Sequence, residues 1–341
     1  MARRTFTHTV DRAFIPGRPG GRTVATIVVG IEDSFRAQDA VALAADLART
    51  TDVEVVAVSV YPYDDRPSEH YNSAIRPSLE RAANGTLERL SEPLSQGSVR
   101  RVVVADTSPA RALMRIAAAA KAELIVIGSS HGEFTGRLRP GSTAWRLLQG
   151  APCAVALAPQ GHRLRPHTAL NRVTAAFDGS PGGYAALSTA ARIAGAMEQR
   201  LRVVRVFEKD CAAPPWLPDA FGFLRLAPDA ERAARSALER AVTGHPGAEV
   251  AFLTGDPARE LAHESEISAL LVIGSRSYGP DGVVVLGGVS DEVLRTAVCP
   301  VLIVPTGAAK PLSGIFPGSG KLRIESAAAP GSRAERPSVA S

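Results

Sequence analysis

The sequence contains an internal duplication, and this feature constrains the fold more than any other. The stretch LIVIGSSH in the first half aligns with LLVIGSRS in the second, and their glycines lie 146 residues apart (274 − 128). Self-similarity at a fixed spacing indicates a repeated structural unit. The chain is therefore predicted to contain two copies of one domain. The residues matched at this spacing are Ser34 and Ser180, Val60 and Val206, Gly128 and Gly274, Gly141 and Gly287, Cys153 and Cys299, and Pro159 and Pro305.

Each copy alternates apolar, β-branched runs with amphipathic segments. In the first copy TIVVGI, VEVVAVSV, VRRVVV, ELIVI and CAVALA are typical of strands, whereas FRAQDAVALAADLART and SPARALMRIAAAA have the spacing of helices. Apolar strands that alternate with helices indicate a parallel sheet covered on both faces. We therefore predict an α/β fold with two tandem, doubly wound, Rossmann-like domains. Each would have a five-stranded, mostly parallel sheet with helices on both faces.

Positive charge is concentrated outside the two copies. Residues 1–22 sum to +4 and residues 307–341 to +3, but the whole chain carries only +5, so the segment between them is slightly acidic. Both tails are rich in Gly, Pro, Ala and Ser and are predicted to be disordered. The domains are expected at residues 23–159 and 172–306, joined by a linker at 160–171. A nucleic-acid-binding domain would carry its basic charge on the folded surface, so nucleic acid is not an expected partner.

The chain has the composition of a soluble cytoplasmic protein. No apolar run approaches the roughly 20 residues that span a bilayer, and the N-terminal residues lack the apolar region of a signal peptide. Three cysteines form no disulfide framework, and no Cys/His cluster has the spacing of zinc ligands. Cys153 and Cys299 are predicted to be small buried residues.

The stretch GSSHGEFTGRLRPGS leaves a strand at Gly128 and begins a helix at Gly141-Ser142. In open parallel sheets, ligands bind beyond the C-terminal strand ends, and the first N–H groups of a helix suit an anion. The two glycines would let backbone amides approach a phosphate, and the hydroxyl of Ser142 would add a donor. Arg137 and Arg139 either add positive charge or form a solvated loop surface. The stretch is neither a P-loop nor the dinucleotide GxGxxG motif.

Both copies resemble the universal stress protein family. The ATP-binding members carry Gly, two residues, Gly, nine residues and Gly-Ser/Thr at this position, and the FDGS, APCAVALAP and AVCPVLIVP stretches are also similar to the family. The resemblance covers residues 23–159 and 172–306. It implies a stress-response regulatory protein that binds ATP or AMP, with Mg²⁺ as an accompanying ion.

The first copy departs from the family pattern at one glycine. His131 stands where the second glycine belongs, whereas the nine-residue spacer and the Gly-Ser pair are intact. The carboxylate after the first strand is Glu32, one methylene longer than the usual Asp. The resemblance implies a backbone contact from Val60 to adenine. The nucleotide site that it implies in domain 1 comprises Ile31, Glu32, Val60, Ile127, Gly128, Ser129, His131, Gly141, Ser142 and Thr143.

The second copy departs further. It keeps the carboxylate as Asp178, but Ser277 replaces the glycine, and its Gly-Gly pair lacks the hydroxyl. Its spacer carries only Asp281, which would repel phosphate. We therefore predict a nucleotide site in domain 1 and a degenerate site in domain 2. The weaker site would comprise Phe177, Asp178, Val206, Ile273, Gly274, Ser275, Gly287, Gly288 and Val289.

Several of these residues have structural alternatives. Ser142 and Ser290 would serve as helix N-caps in any protein, and Asp178 would brace the DGSPGG turn. Neither a catalytic residue nor a metal ligand is assigned, because no general base or metal constellation accompanies the carboxylates Glu32 and Asp178.

Two other functions stay open beside nucleotide-linked regulation. The first is a protein-interaction module whose glycine motifs are relics, and the second is a slow ATPase or adenosine-nucleotide hydrolase. The duplication predicts an internal pseudo-dimer with the two copies side by side, since family homodimers often pack through their last strands. Self-association and an unidentified client protein are expected partners, and no membrane contact is expected.

Overall fold

The structure is a computed structural model that describes two α/β units and short parts of both tails. The described residues are 7–9, 24–49, 51–63, 75–94, 97–130, 138–165, 171–208, 220–275, 282–307 and 312–317.

Domain 1 follows the predicted alternation of strands and helices. Ser34 and Ser108 cap its first and third helices, because each hydroxyl accepts the N–H three residues later. Its elements are β1 Thr7–Thr9, β2 Thr26–Gly30, α1 Phe35–Ala48, β3 Glu54–Tyr61, α2 Arg76–Leu90, β4 Ser98–Ala105, α3 Pro109–Ala120, β5 Leu124–Gly128, α4 Ser142–Leu147 and β6 Ala154–Ala158.

Domain 2 repeats this order. Ser180 and Asp256 cap α5 and α7, and a proline begins each of these helices, where its missing N–H costs nothing. The elements are β7 Arg172–Ala176, α5 Pro181–Ala196, β8 Arg200–Phe207, α6 Ala220–Val242, β9 Glu249–Thr254, α7 Pro257–Glu266, β10 Leu270–Gly274, α8 Gly288–Thr296 and β11 Val301–Val304.

The strands of both domains form one continuous sheet. Its order is β1-β4-β3-β2-β5-β6-β11-β10-β7-β8-β9, and every neighbouring pair is parallel except β6 and β11. Apart from β1, which lies in the N-terminal tail, each domain contributes a five-stranded parallel sheet, so the prediction of two doubly wound domains is confirmed. In domain 1 the order reverses between β2 and β5, which is where ligands bind in such sheets.

The two domains meet side by side through their last strands. β6 and β11 pair antiparallel, with Val155 opposite Ile303 and Leu157 opposite Val301. All four side chains are fully buried. This pairing gives the internal pseudo-dimer that the duplication predicts.

Two apolar layers cover the sheet. One, which we call the α1/α5 layer, contains α1, α2, α5 and α6, and the other contains α3, α4, α7 and α8. Their buried residues are mainly Ala, Val, Leu and Ile, as the composition of the sequence indicates. The repeat spacing is not uniform, because the prolines that begin α3 and α7, Pro109 and Pro257, lie 148 residues apart (257 − 109). No helix in the described part of the chain is long and apolar enough to cross a membrane.

The structure differs from the predicted disordered tails at two places. Thr7–Thr9 forms β1, which pairs with β4 and is the edge strand of the sheet. In the other tail Leu312, Ile315 and Phe316 are buried in the α1/α5 layer, at 1%, 0% and 0% exposure. The N–H of Gly314 donates to both carboxylate oxygens of Glu123, at 3.0 and 3.1 Å. Residues 312–317 are therefore ordered, because their apolar side chains complete the core.

Candidate functional site

A cavity of about 440 Å³ lies at the C-terminal ends of β2, β3 and β5. Its volume falls within the roughly 300–1,000 Å³ of small-molecule sites. It lies at the switch point of the domain 1 sheet, where the connections leave in opposite directions. The lining residues are Gly30, Ile31, Glu32, Arg36, Ala37, Val58, Val60, Pro109, Leu113, Ile127, Gly128, Ser129, Ser130, Gly141, Ser142, Thr143 and Ala144.

Nine of the ten residues predicted for domain 1 line this one cavity. They come from three strand ends and from the start of α4, which are far apart in the sequence. The tenth, His131, lies outside the described residues, as does Arg137. Arg139 is exposed at the end of the same loop and does not line the cavity.

Hydrogen bonds hold the two ends of the glycine loop together. The N–H of Ser130 donates to the carbonyl of Arg139 at 2.5 Å. The Ser129 hydroxyl accepts the Arg139 N–H at 2.6 Å and donates to the Arg139 carbonyl at 3.1 Å. The end of β5 and the chain that leads into α4 are thus fixed side by side at the cavity wall.

The first turn of α4 borders the cavity, and Gly141 rather than Ser142 is its N-cap. Gly141 has an extended backbone (φ −82°, ψ 179°) and no side chain caps the helix. The N-cap alternative for Ser142 is therefore wrong. Among the described residues, the N–H groups of Ser142, Thr143 and Ala144 have no hydrogen-bond acceptor. These three residues also line the cavity, so the helix start can donate to a bound anion.

The cap alternative for Ser290 is wrong as well. The N-cap of α8 is Gly287, also in an extended conformation (φ −91°, ψ 166°), without a side-chain hydrogen bond. Ser290 lies inside the first turn and is 5% exposed.

Gly128 and Gly274 are needed for packing, whatever ligand binds. A Cβ on Gly128 would overlap the carbonyl group of Arg36 in α1, and a Cβ on Gly274 would overlap the backbone of Gly182 in α5. The first turn of a helix therefore approaches each strand end so closely that only glycine fits. The sequence interpretation assigned Gly128 only to phosphate approach and missed this reason.

Arg36 is a cavity residue that the sequence analysis missed. Its Nη2 lies 3.1 Å from Oε1 of Glu32, four residues earlier in the chain. Its Nε is buried and has no hydrogen-bond partner among the described residues. Glu32 precedes α1, so helical spacing alone did not place Arg36 at the cavity. The matched residue of domain 2 is Gly182, so no arginine occupies this position there.

The equivalent cavity of domain 2 is smaller, at about 190 Å³. This volume is below the range of ordinary ligand sites. Seven of its nine predicted residues line it, whereas Gly287 and Gly288 do not. The lining is Ala176, Phe177, Asp178, Ser180, Gly183, Val204, Val206, Pro257, Leu261, Ile273, Gly274, Ser275, Val289 and Ser290. Ser277 and Asp281 lie outside the described residues.

The carboxylate of domain 2 is used by its own turn. Oδ1 of Asp178 accepts the N–H of Ser180 at 2.9 Å and its hydroxyl at 2.6 Å, as the turn alternative predicts. The guanidinium of Arg205 stacks over the Phe177 ring at 5.9 Å. Burial lowers the pKa of Arg205, and the attraction of Asp178 opposes that shift. Asp178 is thus engaged by its own turn, whereas the buried Nη1 of Arg205 has no hydrogen-bond partner among the described residues.

Asp106 anchors the loop that leads into α3 on the wall of the domain 1 cavity. Its carboxylate accepts two hydrogen bonds from Arg111 and one from the Ser108 N–H at 2.8 Å. Burial raises the pKa of Asp106, but these hydrogen bonds and the charge of Arg111 outweigh it, so the pKa lies below the ordinary 3.8. The ionised form therefore stabilises the folded domain.

Replacing Asp106 with asparagine is expected to lower the free energy of unfolding by about 1–3 kcal/mol at pH 7, the usual loss for hydrogen bonds to a charged group. Because the folded pKa is depressed, the contribution is present above pH 3.8 and is lost as the pH falls through the folded value. Denaturant unfolding of both proteins at pH 7, and again at a pH below 3.8, measures the difference in stability with Asp106 ionised and with Asp106 protonated. If the stability difference between Asp106→Asn and the unaltered chain is as large in acid as at pH 7, this account is contradicted.

The two cysteines among the described residues are buried and unreactive. Cys153 and Cys299 are 6% and 0% exposed, which confirms their burial. That burial raises the pKa of each thiol to about 12, so neither is a nucleophile at neutral pH. No group of three or more His, Cys, Asp or Glu side chains in the described ranges is arranged to hold a metal ion.

Comparisons with known proteins agree on one family. The model of the Universal stress protein family matches residues 23–159 and 170–305. A universal stress protein of Mycolicibacterium smegmatis is 26% identical over 294 residues, or 82% of this chain and 96% of its own length. The universal stress protein in QAH/OAS sulfhydrylase 3'region of Thermus aquaticus is 35% identical over 132 residues, or 38% of this chain and 94% of its own.

The fold has solved counterparts. The crystal structure of a universal stress protein from Archaeoglobus fulgidus DSM 4304 superposes with a TM-score of 0.61 at 16% identity. The superposition covers 82% of this chain and 98% of that one.

Proposed function

This chain belongs to the universal stress protein family, a stress-response class, and from that premise we propose that domain 1 binds ATP or AMP as a regulatory ligand. The observation that carries the proposal is the 440 Å³ cavity, which collects nine of the residues that the family resemblance implies for a nucleotide. A site formed from three separate parts of the sequence is stronger support than the glycine motif alone.

The cavity offers different chemistry along its wall. Val58, Val60 and Leu113 form an apolar part suited to a flat base. The amides at the start of α4 and the guanidinium of Arg36 supply donors and positive charge for phosphate. The adenine would lie against the apolar part, and the phosphates would lie between the β5 end and α4.

Mg²⁺ would be held mainly by the phosphates of the nucleotide. Glu32 is the single carboxylate among the described lining residues, and its Oε1 already receives Arg36 and the Ser34 hydroxyl. Mg²⁺ is usually bound by one or two carboxylates together with substrate phosphates. The residues present fit that arrangement only if Glu32 releases Arg36 to the nucleotide.

Domain 2 is proposed to be a structural partner without nucleotide. Its cavity has less than half the volume, its counterpart of Arg36 is Gly182, and its carboxylate braces a turn. Nucleotide in domain 1 would regulate an assembly or a client only if it binds two states of the protein with different affinity.

A calorimetric titration of ATP into the full chain tests the proposal. The same titration of Arg36→Gln tests whether this guanidinium binds the phosphates. Loss of a charged donor to phosphate typically costs about 1.5–3 kcal/mol, so ATP should bind about 10- to 100-fold more weakly. Adenosine, which has no phosphate, should bind both proteins alike. Arg205→Gln in domain 2 is the matched control and should leave ATP affinity unchanged. No heat from the unaltered chain at millimolar ATP would end the proposal.

A further inference from the structure

The two domains exchange equivalent hydrogen bonds through their glycine loops. The N–H of Leu138 in domain 1 donates to the carbonyl of Ala297 in domain 2, at 2.8 Å. In return the N–H of Val284 donates to the carbonyl of Ala151, at 3.0 Å. Leu138 and Val284 are 146 residues apart (284 − 138), and both side chains are fully buried in the layer that contains α4 and α8. The end of each loop is thus anchored in the other domain.

A cation–π contact reinforces the same interface. The guanidinium of Arg295, in the last turn of α8, lies 4.8 Å from the ring centre of Trp145 in α4. The C-terminal end of α8 therefore contacts both the helix that begins at the cavity and, through Ala297, the loop that precedes that helix.

In domain 1 this anchor continues directly into the cavity wall. Arg139 follows Leu138 directly, and its backbone holds the cavity residues Ser129 and Ser130. In domain 2 the equivalent Ser275 is bound instead by Thr306, at the end of β11. The domain 2 loop also reaches Ser275, because the N–H of Gly282 donates to the carbonyl of Thr306 at 2.8 Å. The exchanged anchors are therefore symmetric, but Leu138 is directly followed by the residue that bonds to the cavity serines, whereas the domain 2 loop reaches Ser275 through Thr306.

We propose that Leu138 is a positioning residue through which domain 2 sets the shape of the phosphate-binding end of domain 1. This inference rests on the proposed nucleotide site. Leu138 does not line the cavity, so it acts through Arg139 and the two serines. Domain 2 would then serve as the scaffold that keeps residues 138–141 in position beside Ser129 and Ser130.

The expected consequence is a loss of affinity without the loss of a ligand contact. A loop that is already ordered binds with a smaller entropic cost than one that must be ordered by the ligand. If removing the Leu138 side chain leaves the binding conformation only about one-tenth populated, the apparent Kd rises about 10-fold. The effect should be confined to phosphorylated ligands, because the serines lie at the glycine loop and not at the apolar part of the cavity.

Leu138→Ala and Val284→Ala in the full chain form a matched pair. Both remove a fully buried aliphatic side chain at the domain interface, so the denaturation midpoint should fall in both. We expect the Kd for ATP to rise about 10-fold in Leu138→Ala and to change less than about 2-fold in Val284→Ala. The Kd for adenosine should be unchanged in both variants. An unchanged ATP affinity in Leu138→Ala, or an equal loss in the two variants, would overturn the inference.

Amide hydrogen exchange gives a reading that needs no ligand. The N–H of Ser130 is bonded to the carbonyl of Arg139, so its exchange reports whether the loop end is held. This amide should exchange faster in Leu138→Ala and at the unaltered rate in Val284→Ala. If the unaltered chain binds no ATP, the proposed function fails. The exchange rates still show whether Leu138 holds the loop end in place. Equal Ser130 exchange in Leu138→Ala and the unaltered chain would refute that role.

Discussion

Replacing Phe316 with alanine is expected to lower the free energy of unfolding by about 3–5 kcal/mol, the usual cost of removing a buried aromatic side chain. Phe316 is fully buried and packs in the α1/α5 layer together with Leu312 and Ile315. The same segment bonds through Gly314 to Glu123, immediately before β5. Removal of the ring would therefore leave a cavity in the core of the protein. Denaturant unfolding followed by circular dichroism measures the loss.

Two control variants separate this packing role from a general effect of the tail. Leu164 is also a large apolar residue outside the strands and α-helices, but it is 75% exposed. Leu164→Ala should therefore change the free energy of unfolding by less than about 0.5 kcal/mol. A chain that ends after residue 317 keeps the buried segment and should unfold like the full chain. If Phe316→Ala unfolds at the same denaturant concentration as the unaltered protein, the segment contributes nothing to the core.

Replacing Gly141 with valine is expected to weaken ATP binding by at least about 100-fold, equivalent to about 2.8 kcal/mol. The extended backbone of Gly141 accepts any residue, so the substitution does not strain the chain. Its Cβ would lie 3.1 Å from Cβ of Ser130, however, and the branched side chain would fill the space between the β5 end and α4. Calorimetry should give a Kd for ATP at least about 100-fold higher than that of the unaltered chain.

Gly287→Val is the matched control for this substitution. Gly287 has the same role as N-cap of α8 and the same extended backbone, but it does not line the domain 2 cavity. ATP affinity should therefore be unchanged in this variant. Retention of the full heat of binding in Gly141→Val would show that the phosphates do not bind between β5 and α4.

Much of the candidate site could be predicted because the fold brings strand ends to one edge. Ile31, Val60 and Ile127 lie at or just after the ends of three different strands, and parallel order places such residues together. The glycine spacing then indicated where α4 begins, although not which residue caps it. Gly141 is the N-cap because it has the extended backbone of that position, and the helical conformation begins at Ser142.

Other features depend on neighbours that local patterns do not identify. The apolar residues of 312–317 are few and lie within a Gly-, Pro- and Ser-rich tail, so averaged composition predicted disorder. Their burial depends on an apolar surface formed by distant helices. Arg36 belongs to the site for a similar reason, because the approach of α1 to Gly128 decides where its side chain lies.

The sequence by itself determined the duplication, the alternation of strands and helices, and the edge of the sheet where a ligand would bind. These follow from periodicity, which is a property of neighbouring residues and of the repeat. The tertiary structure alone decided that Leu138 reaches Ala297, that Phe316 completes the core, and that the two cavities differ in size. Such features depend on contacts between residues far apart in the chain, and close packing makes those contacts sensitive to single side chains.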